Sequence, residues 1–181
     1  MAEQEHIGAA GEQAEQSQLP PLETQAAEAP AEAEEHLPER QYCVFRAGRE
    51  RFCLSVLDVE EVVEWPSLTR VPLAPAFLMG IFNLRGSIVP IIDIAFTEGR
   101  RADLLPKHVV VAAMRLPEEE ILRLGIASDE VIGTYTTSDP LLVEEAPRDV
   151  PHCCGMLRHE DRLALALDLK RLTEAFPVGT V

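Results

Sequence analysis

The chain has 181 residues and a formal net charge of −15, from 31 acidic residues against 16 basic ones. That is long enough for one domain or two small ones with a real core. No apolar run approaches the ~20 residues of a spanning helix, and no basic stripe of the kind phosphate binding demands is present, so direct membrane insertion and nucleic-acid binding are not expected.

The start, Met1-Ala2-Glu3-Gln4-Glu5, is acidic and lacks the basic region and apolar stretch of a secretion signal, so the expectation is a cytoplasmic protein. Residues 1 to 40 are mostly Ala, Glu, Gln and Pro, with ten acidic residues and one basic residue, Arg40. A segment so poor in large apolar side chains cannot offset its chain entropy by burial, and disorder is the expectation. It reads either as a tether or partner-binding tail or as a plain solvating extension. The rest of the chain holds 21 acidic and 15 basic residues, net −6, so most of the charge belongs to this tail.

From Gln41 the pattern changes to strands. Tyr42 to Phe45 and Phe52 to Val56 form a hairpin joined by Arg46-Ala47-Gly48-Arg49-Glu50. Ser55 is placed to cap a short helix before a Glu61-Val62-Val63 strand. Pro66, Pro72 and Pro75 lack the backbone donor a sheet interior needs and hold the next segment extended. Gly80 to Ile94 then reads as a second hairpin turning at Arg85-Gly86, because glycine supplies unusual backbone angles and Ile88, Val89, Ile91 and Ile92 suit a pleated surface.

Residues 97 to 107 separate this half from a second. His108 to Met114 and Ile121 to Ala127 form a hairpin with a charged tip at Leu116-Pro117-Glu118-Glu119-Glu120, followed by Glu130-Val131-Ile132. An irregular connection with Pro140, Pro147 and Pro151 runs from Thr136 to His152. Gly155 to Leu169 then repeats Gly80 to Ile94 at an offset of 75 positions, including the apolar-Asp-apolar close. Asp168 is an N-cap for a short terminal helix over 169–176. The order hairpin, Glu-Val element, loop, hairpin and Asp-capped turn therefore occurs twice. It predicts a mainly β domain over 41–178, built as two small barrels side by side from the halves 41–96 and 108–169.

Chemistry is sparse. Four cysteines are too few and too scattered for a disulfide framework. Cys43 and Cys53 become neighbours if the first hairpin pairs symmetrically about Gly48, as small buried hydrophobes or, as the less favoured reading, a redox pair. His152, Cys153, Cys154 and His159 are the one cluster with metal-ligand chemistry, and with it a metal or thiol enzyme would be built. Adjacent cysteines on a strand point to opposite faces, however, which does not suit chelation. Asp93 and Asp168 resemble a carboxylate pair but each ends a strand ahead of a helical turn, where capping is the simpler role. No phosphate loop, G-x-S-x-G or H-E-x-x-H occurs, no nucleophile has an adjacent base, and neither an enzyme nor a cofactor is expected.

Asn83-Leu84-Arg85-Gly86, followed by Val89-Pro90-Ile91-Ile92-Asp93, resembles the CheW-like coupling proteins of bacterial chemotaxis systems. The resemblance runs from Tyr42 to Phe176 through Val59-Glu60-Glu61-Val62, Thr69-Arg70-Val71-Pro72, Pro75-Ala76-Phe77-Leu78-Met79-Gly80, Asp129-Glu130-Val131 and Leu165-Ala166-Leu167-Asp168-Leu169. It implies two SH3-like β-barrels on a shared core and no catalysis. It also implies an adaptor that joins the cytoplasmic tip of a methyl-accepting chemoreceptor to the regulatory domain of a CheA-type histidine kinase, recruited to membrane-associated receptor arrays. The receptor would dock between the barrels and the kinase at a barrel edge. The matching partner-binding positions are Val59, Glu61, Val62, Gly80, Asn83, Arg85 and Gly86, with Arg85 able to grip a carboxylate by two parallel bonds. Against this, Arg85 reads as a solvated turn residue, and Glu61 as water-facing with Val62 in the core. The acidic extension and the less typical second half leave open a specialised array, for surface motility or array positioning through the tail.

Overall fold

The computed structural model describes residues 38–95, 105–116, 120–142, 147 and 150–177. The expected disordered tail (all but its last residues), most of the 97–107 connection, the Pro117 to Glu119 tip and part of the 136–152 connection lie outside them. Ten strands and one helix follow in order: β1 (Arg40–Ala47), β2 (Glu50–Ser55), β3 (Val59–Glu64), β4 (Leu78–Leu84), β5 (Ser87–Ile92), β6 (His108–Arg115), β7 (Ile121–Ser128), β8 (Glu130–Thr137), β9 (Cys153–His159), β10 (Arg162–Leu167) and α1 (Leu169–Ala175). Between β2 and β3 is one 3-10 turn, Val56–Asp58, whose Leu57 N–H donates to the Ser55 hydroxyl, as the capping argument expects.

The repeat is exact in register. β4 and β9, and β5 and β10, occupy spans 75 positions apart, with turns at Arg85-Gly86 and Glu160-Asp161. Both pairs carry a bulge at the same place, opposite Ile91/Ile92 and Ala166/Leu167. Leu78–Ile92 and Cys153–Leu167 are equivalent pairs, and the bridges Thr69–Ile81 and Leu142–Met156 cover the same edge position in each half.

The two barrels, one per sheet, are nevertheless not the two halves. The sheets run β8-β1-β2-β10-β9 and β3-β6-β7-β5-β4, so each takes its opening hairpin from one half and its other three strands from the other. The division at 41–96 and 108–169 therefore marks the repeat and not the barrels. The reason is local: the 3-10 turn after β2 directs β3 away from its own hairpin, and β2 and β7 gain parallel partners, β10 and β5, from the opposite half. The first hairpin also pairs Cys43 with Leu54 and Val44 with Cys53. The cysteines are consequently one register step apart, on opposite faces and in different cores.

Central strands are buried on both sides, which explains their unbroken apolar runs. On β1, Tyr42 and Val44 enter the private core of the first sheet, whereas Cys43 and Phe45 enter a core shared by both sheets. On β6, Val109 and Val111 face the private core of the second sheet, and Val110 and Ala112 the shared one. Helix α1 plugs the shared core with Leu169, Leu172 and Phe176, and Asp168 caps it by accepting from the Arg171 N–H at 3.1 Å. The equivalent Asp93 accepts from the Ala95 N–H at 3.0 Å, so both aspartates cap turns.

Phe176 shows what the repeat does to side chains. It lies between Phe77, at 5.0 Å, and His152, at 5.5 Å between ring centroids. Those two residues are repeat equivalents, since the Asp93 N–H donates to the Phe77 carbonyl and the Asp168 N–H to the His152 carbonyl. His152 thus fills an aromatic position: it is 1% exposed, and neither ring nitrogen has a partner among the described residues. Cys153 lies in the shared core and Cys154 packs toward the first sheet's private core, so the His-Cys-Cys-His cluster is dispersed. No three such side chains are grouped to hold an ion among the described residues.

Burial pushes the His152 pKa down to about 4 from 6.5. The unfolded chain then takes up a proton below about pH 6.5 that the folded chain refuses until about 4, so stability is lost as pH falls through that window, by roughly 3 kcal/mol. The urea midpoint of His152→Phe should fall less steeply than that of the unsubstituted protein between these pH values, and parallel curves would refute the assignment. Gly80 makes a second test, because at φ 150° a Cβ would lie 2.8 Å from the Thr69 carbonyl oxygen. Gly80→Ala should cost about 1–3 kcal/mol of stability in urea unfolding by prising the Thr69–Ile81 bridge from β4.

Candidate functional site: the seam of the second sheet

β3 and β4 are the two edges of the second sheet. The hairpin between β4 and β5 closes on a two-residue turn in which Arg85 and Gly86 both have positive φ, 50° and 93°. Such a turn matches strand twist, and glycine takes its second position without strain. Asn83 Oδ1 accepts from the Gly86 N–H at 2.8 Å and clamps the turn. The Asn-Leu-Arg-Gly run is thus a rigid mount for one side chain, that of Arg85, which is 81% exposed.

Arg85 Nη2 donates to Glu61 Oε2 at 2.8 Å, joining the hairpin tip to β3 across the gap between the sheet's edges. The Glu61 side chain is only 20% exposed, and its other oxygen, Oε1, is buried without a partner. This reverses the simple strand reading. Glu61 pairs with Val111 and so faces the barrel side, whereas Val62 pairs with Val110, faces the interbarrel side and is 40% exposed. The cause is a bulge at Glu60, between Val59 and Glu61, which shifts the alternation along β3.

The bulge is held by a residue that strand patterning passes over. Arg123 on β7 reaches across β6 to Glu60 with two bonds, Nε to Oε2 at 2.6 Å and Nη2 to Oε1 at 3.0 Å. Its only sequence signal is a cation set between Leu122 and Leu124. A similar lock ties the first hairpin to the β7–β8 corner: Asp129, 3% exposed, accepts from Arg46 Nη1 at 3.2 Å and from the Gly48 N–H at 2.7 Å.

Of the seven residues singled out by sequence, Glu61 and Arg85 meet directly. Asn83 and Gly86 shape the turn beneath Arg85. Val62 is exposed on the opposite face of β3 from Glu61, Val59 packs against the shared core, and Gly80 is tucked under the Thr69 carbonyl. Sequence reasoning missed a groove of about 600 Å³ beside the hairpin, lined by Val71, Leu73, Ile88, Pro90, Ile121 and Arg123. The signal for it was present in Pro72-Leu73-Ala74-Pro75, where a leucine stands at a turn position.

The family model for the CheW-like domain matches residues 41–176. A "Probable chemotaxis protein CheW" of Rhizobium etli is 30% identical over 141 residues, covering 74% of this chain and 87% of the relative. The "Chemotaxis protein CheW" of Klebsiella aerogenes is 27% identical over 152 residues, 78% of this chain and 86% of the relative. Among solved structures, the scaffolding protein TtCheW of Thermoanaerobacter tengcongensis shares the fold, with a TM-score of 0.63, 24% identity, and coverage of 75% of this chain and 88% of its own. The chain belongs to the CheW-like domain family.

Proposed function

We propose that the chain is a non-catalytic adaptor that couples methyl-accepting chemoreceptors to a CheA-type histidine kinase, binding the receptor's cytoplasmic tip and the kinase's regulatory domain. Family membership supports the role. The observation that carries the site assignment is the Arg85–Glu61 pair, an exposed guanidinium held by a clamped turn against a half-buried carboxylate with a spare oxygen. An ion pair so exposed on one side adds little to stability, on the order of 0–1 kcal/mol, which leaves the arginine available to a partner's carboxylate.

Val62 supplies an apolar contact on the interbarrel side of the same edge strand, where the receptor tip would lie. Val59, Gly80, Asn83 and Gly86 act by holding that edge and turn in place. No helix among the described residues is long and apolar enough to cross a membrane, and the protein would work at the cytoplasmic face by recruitment to receptor arrays.

The test is to mix the protein with a kinase regulatory domain and a receptor cytoplasmic fragment and measure both affinities. Arg85→Glu should weaken complex formation by about tenfold or more, because it sets a carboxylate against Glu61 and removes the donor. The exchange Glu61→Arg with Arg85→Glu separates contact from scaffolding: it should restore the melting temperature while binding stays weak. Restored binding in the exchanged protein would reduce the pair to a structural seam, and unsubstituted protein that bound neither partner would remove the functional reading.

A further inference from the structure

The two barrels differ at a place where the repeat makes their backbones alike. In each sheet the hairpin of one half meets that of the other through only two parallel pairs, Phe52–Leu165 and Cys53–Ala166 in the first, Gly125–Ile91 and Ile126–Ile92 in the second. Beyond these pairs the ladder ends, and side chains on the private-core face stand at the mouth of the barrel. In the second barrel the cation at this mouth has its own counter-charge: Arg123 Nη1 lies 3.5 Å from Ser87 Oγ, and the Glu60 carboxylate accepts two bonds from Arg123.

The first barrel has the cations without the counter-charge. The repeat equivalent of Ser87, 75 positions on, is Arg162. Register puts Arg162 on the private-core face with Ala164 and Ala166, Arg51 on that face with Cys53, and His159 directly opposite Arg162. Three neighbouring strands, β2, β10 and β9, thus present basic side chains on one face at one end of the sheet. Arg46, opposite Arg51, extends the row but is taken up by Asp129 and Glu130. Arg51 and Arg162 have no ion pair or side-chain hydrogen bond among the described residues, and Arg51 Nη1 is buried without a partner. His159 is 8% exposed, its ring set edge-on to Tyr135 at 4.8 Å, and its Nδ1 is buried and unpartnered as well. Glu160 and Asp161, in the turn beyond, are exposed and bonded to none of the three.

A buried donor without an acceptor costs free energy, and two guanidinium groups on adjacent strands repel each other when no anion lies between them. One anion removes both costs. Two arginine forks and a ring nitrogen, coming from three strands, suit a tetrahedral oxyanion, which offers an acceptor to each, better than a planar carboxylate with two oxygens. We infer that the mouth of the first barrel is a binding site for a small oxyanion of the phosphate class, held by Arg51, Arg162 and His159 Nδ1. The anion takes the part that Glu60 plays in the second barrel and fastens the β1–β2 hairpin to the β9–β10 hairpin past the end of their ladder.

Titrating inorganic phosphate into the full chain, with chloride adjusted to hold a low ionic strength constant, tests it. The unsubstituted protein should bind one phosphate saturably, with a dissociation constant of about 1 mM or tighter, and should melt at a higher temperature in phosphate than in chloride. Arg51→Gln and Arg162→Gln should each weaken phosphate about fivefold or more. Neither should lower the melting temperature in chloride, because neither side chain has a partner to lose. Arg158→Gln, on the other face of β9, should leave binding unchanged. Absence of saturable binding overturns the inference, and so does an equal loss in Arg158→Gln, which reduces the effect to net charge. Acetate that binds as tightly as phosphate overturns the assigned class of ligand.

Discussion

The double burial of β1, β2, β6 and β7 is the constraint on which the rest of the structure depends. Each of these strands has one face in the private core of its own sheet and the other in the shared core. Transfer of apolar surface from water scales with area, so a strand buried on both faces gains about twice what a one-sided strand does. Its middle is accordingly apolar, and the polar groups of the candidate site lie at edges and corners: Glu60 and Glu61 on β3, Asn83 and Arg85 at the hairpin tip, Asp129 and Glu130 at the β7–β8 corner, with Arg123 near the start of β7 reaching out to Glu60. The candidate site lies at an edge, where polar side chains reach water.

The edges are then managed by side chains. β4 is covered by the Thr69 bridge and β9 by the Leu142 bridge, both from connecting segments. β3 keeps its outer edge, but a bulge bends it and the pairs Arg123–Glu60 and Arg85–Glu61 fasten it. Bulges and inward-facing charges are common ways of keeping an edge strand from pairing indiscriminately. Here the same devices fix the direction of Arg85 and turn Val62 toward the interbarrel side. Protection of the edge and the shape of the proposed contact surface come from one set of atoms.

Much of this was legible in the residues. The hairpins, the turn at Arg85-Gly86, both aspartate caps, the terminal helix and the 75-residue repeat follow from β-branched runs, glycine and capping chemistry, which act over a few positions. What escaped depends on long-range geometry. The exchange of hairpins between halves runs through a capped turn that is legible in its residues but not in its direction, because a strand's residues record that both faces are buried and not by whom. The exposure of Val62 and the inward turn of Glu61 depend on a bulge set by Arg123, 63 positions away from Glu60. His152 offered ligand chemistry by its type alone, which the adjacent cysteines beside it already argued against; the repeat places it where the other half has Phe77.

The reciprocal exchange of strands has a consequence for synthesis. The parallel pairing of Cys53 with Ala166 joins positions at opposite ends of the domain, and the first sheet holds only one hairpin from the amino-terminal half. As the nascent chain leaves the ribosome, β1 gains its partner β8 and β2 its partner β10 only once the second half of the domain has been made. The hairpin must therefore wait, with apolar surface unburied, until those later strands have been made, and the long loop closures this entails make for slow folding.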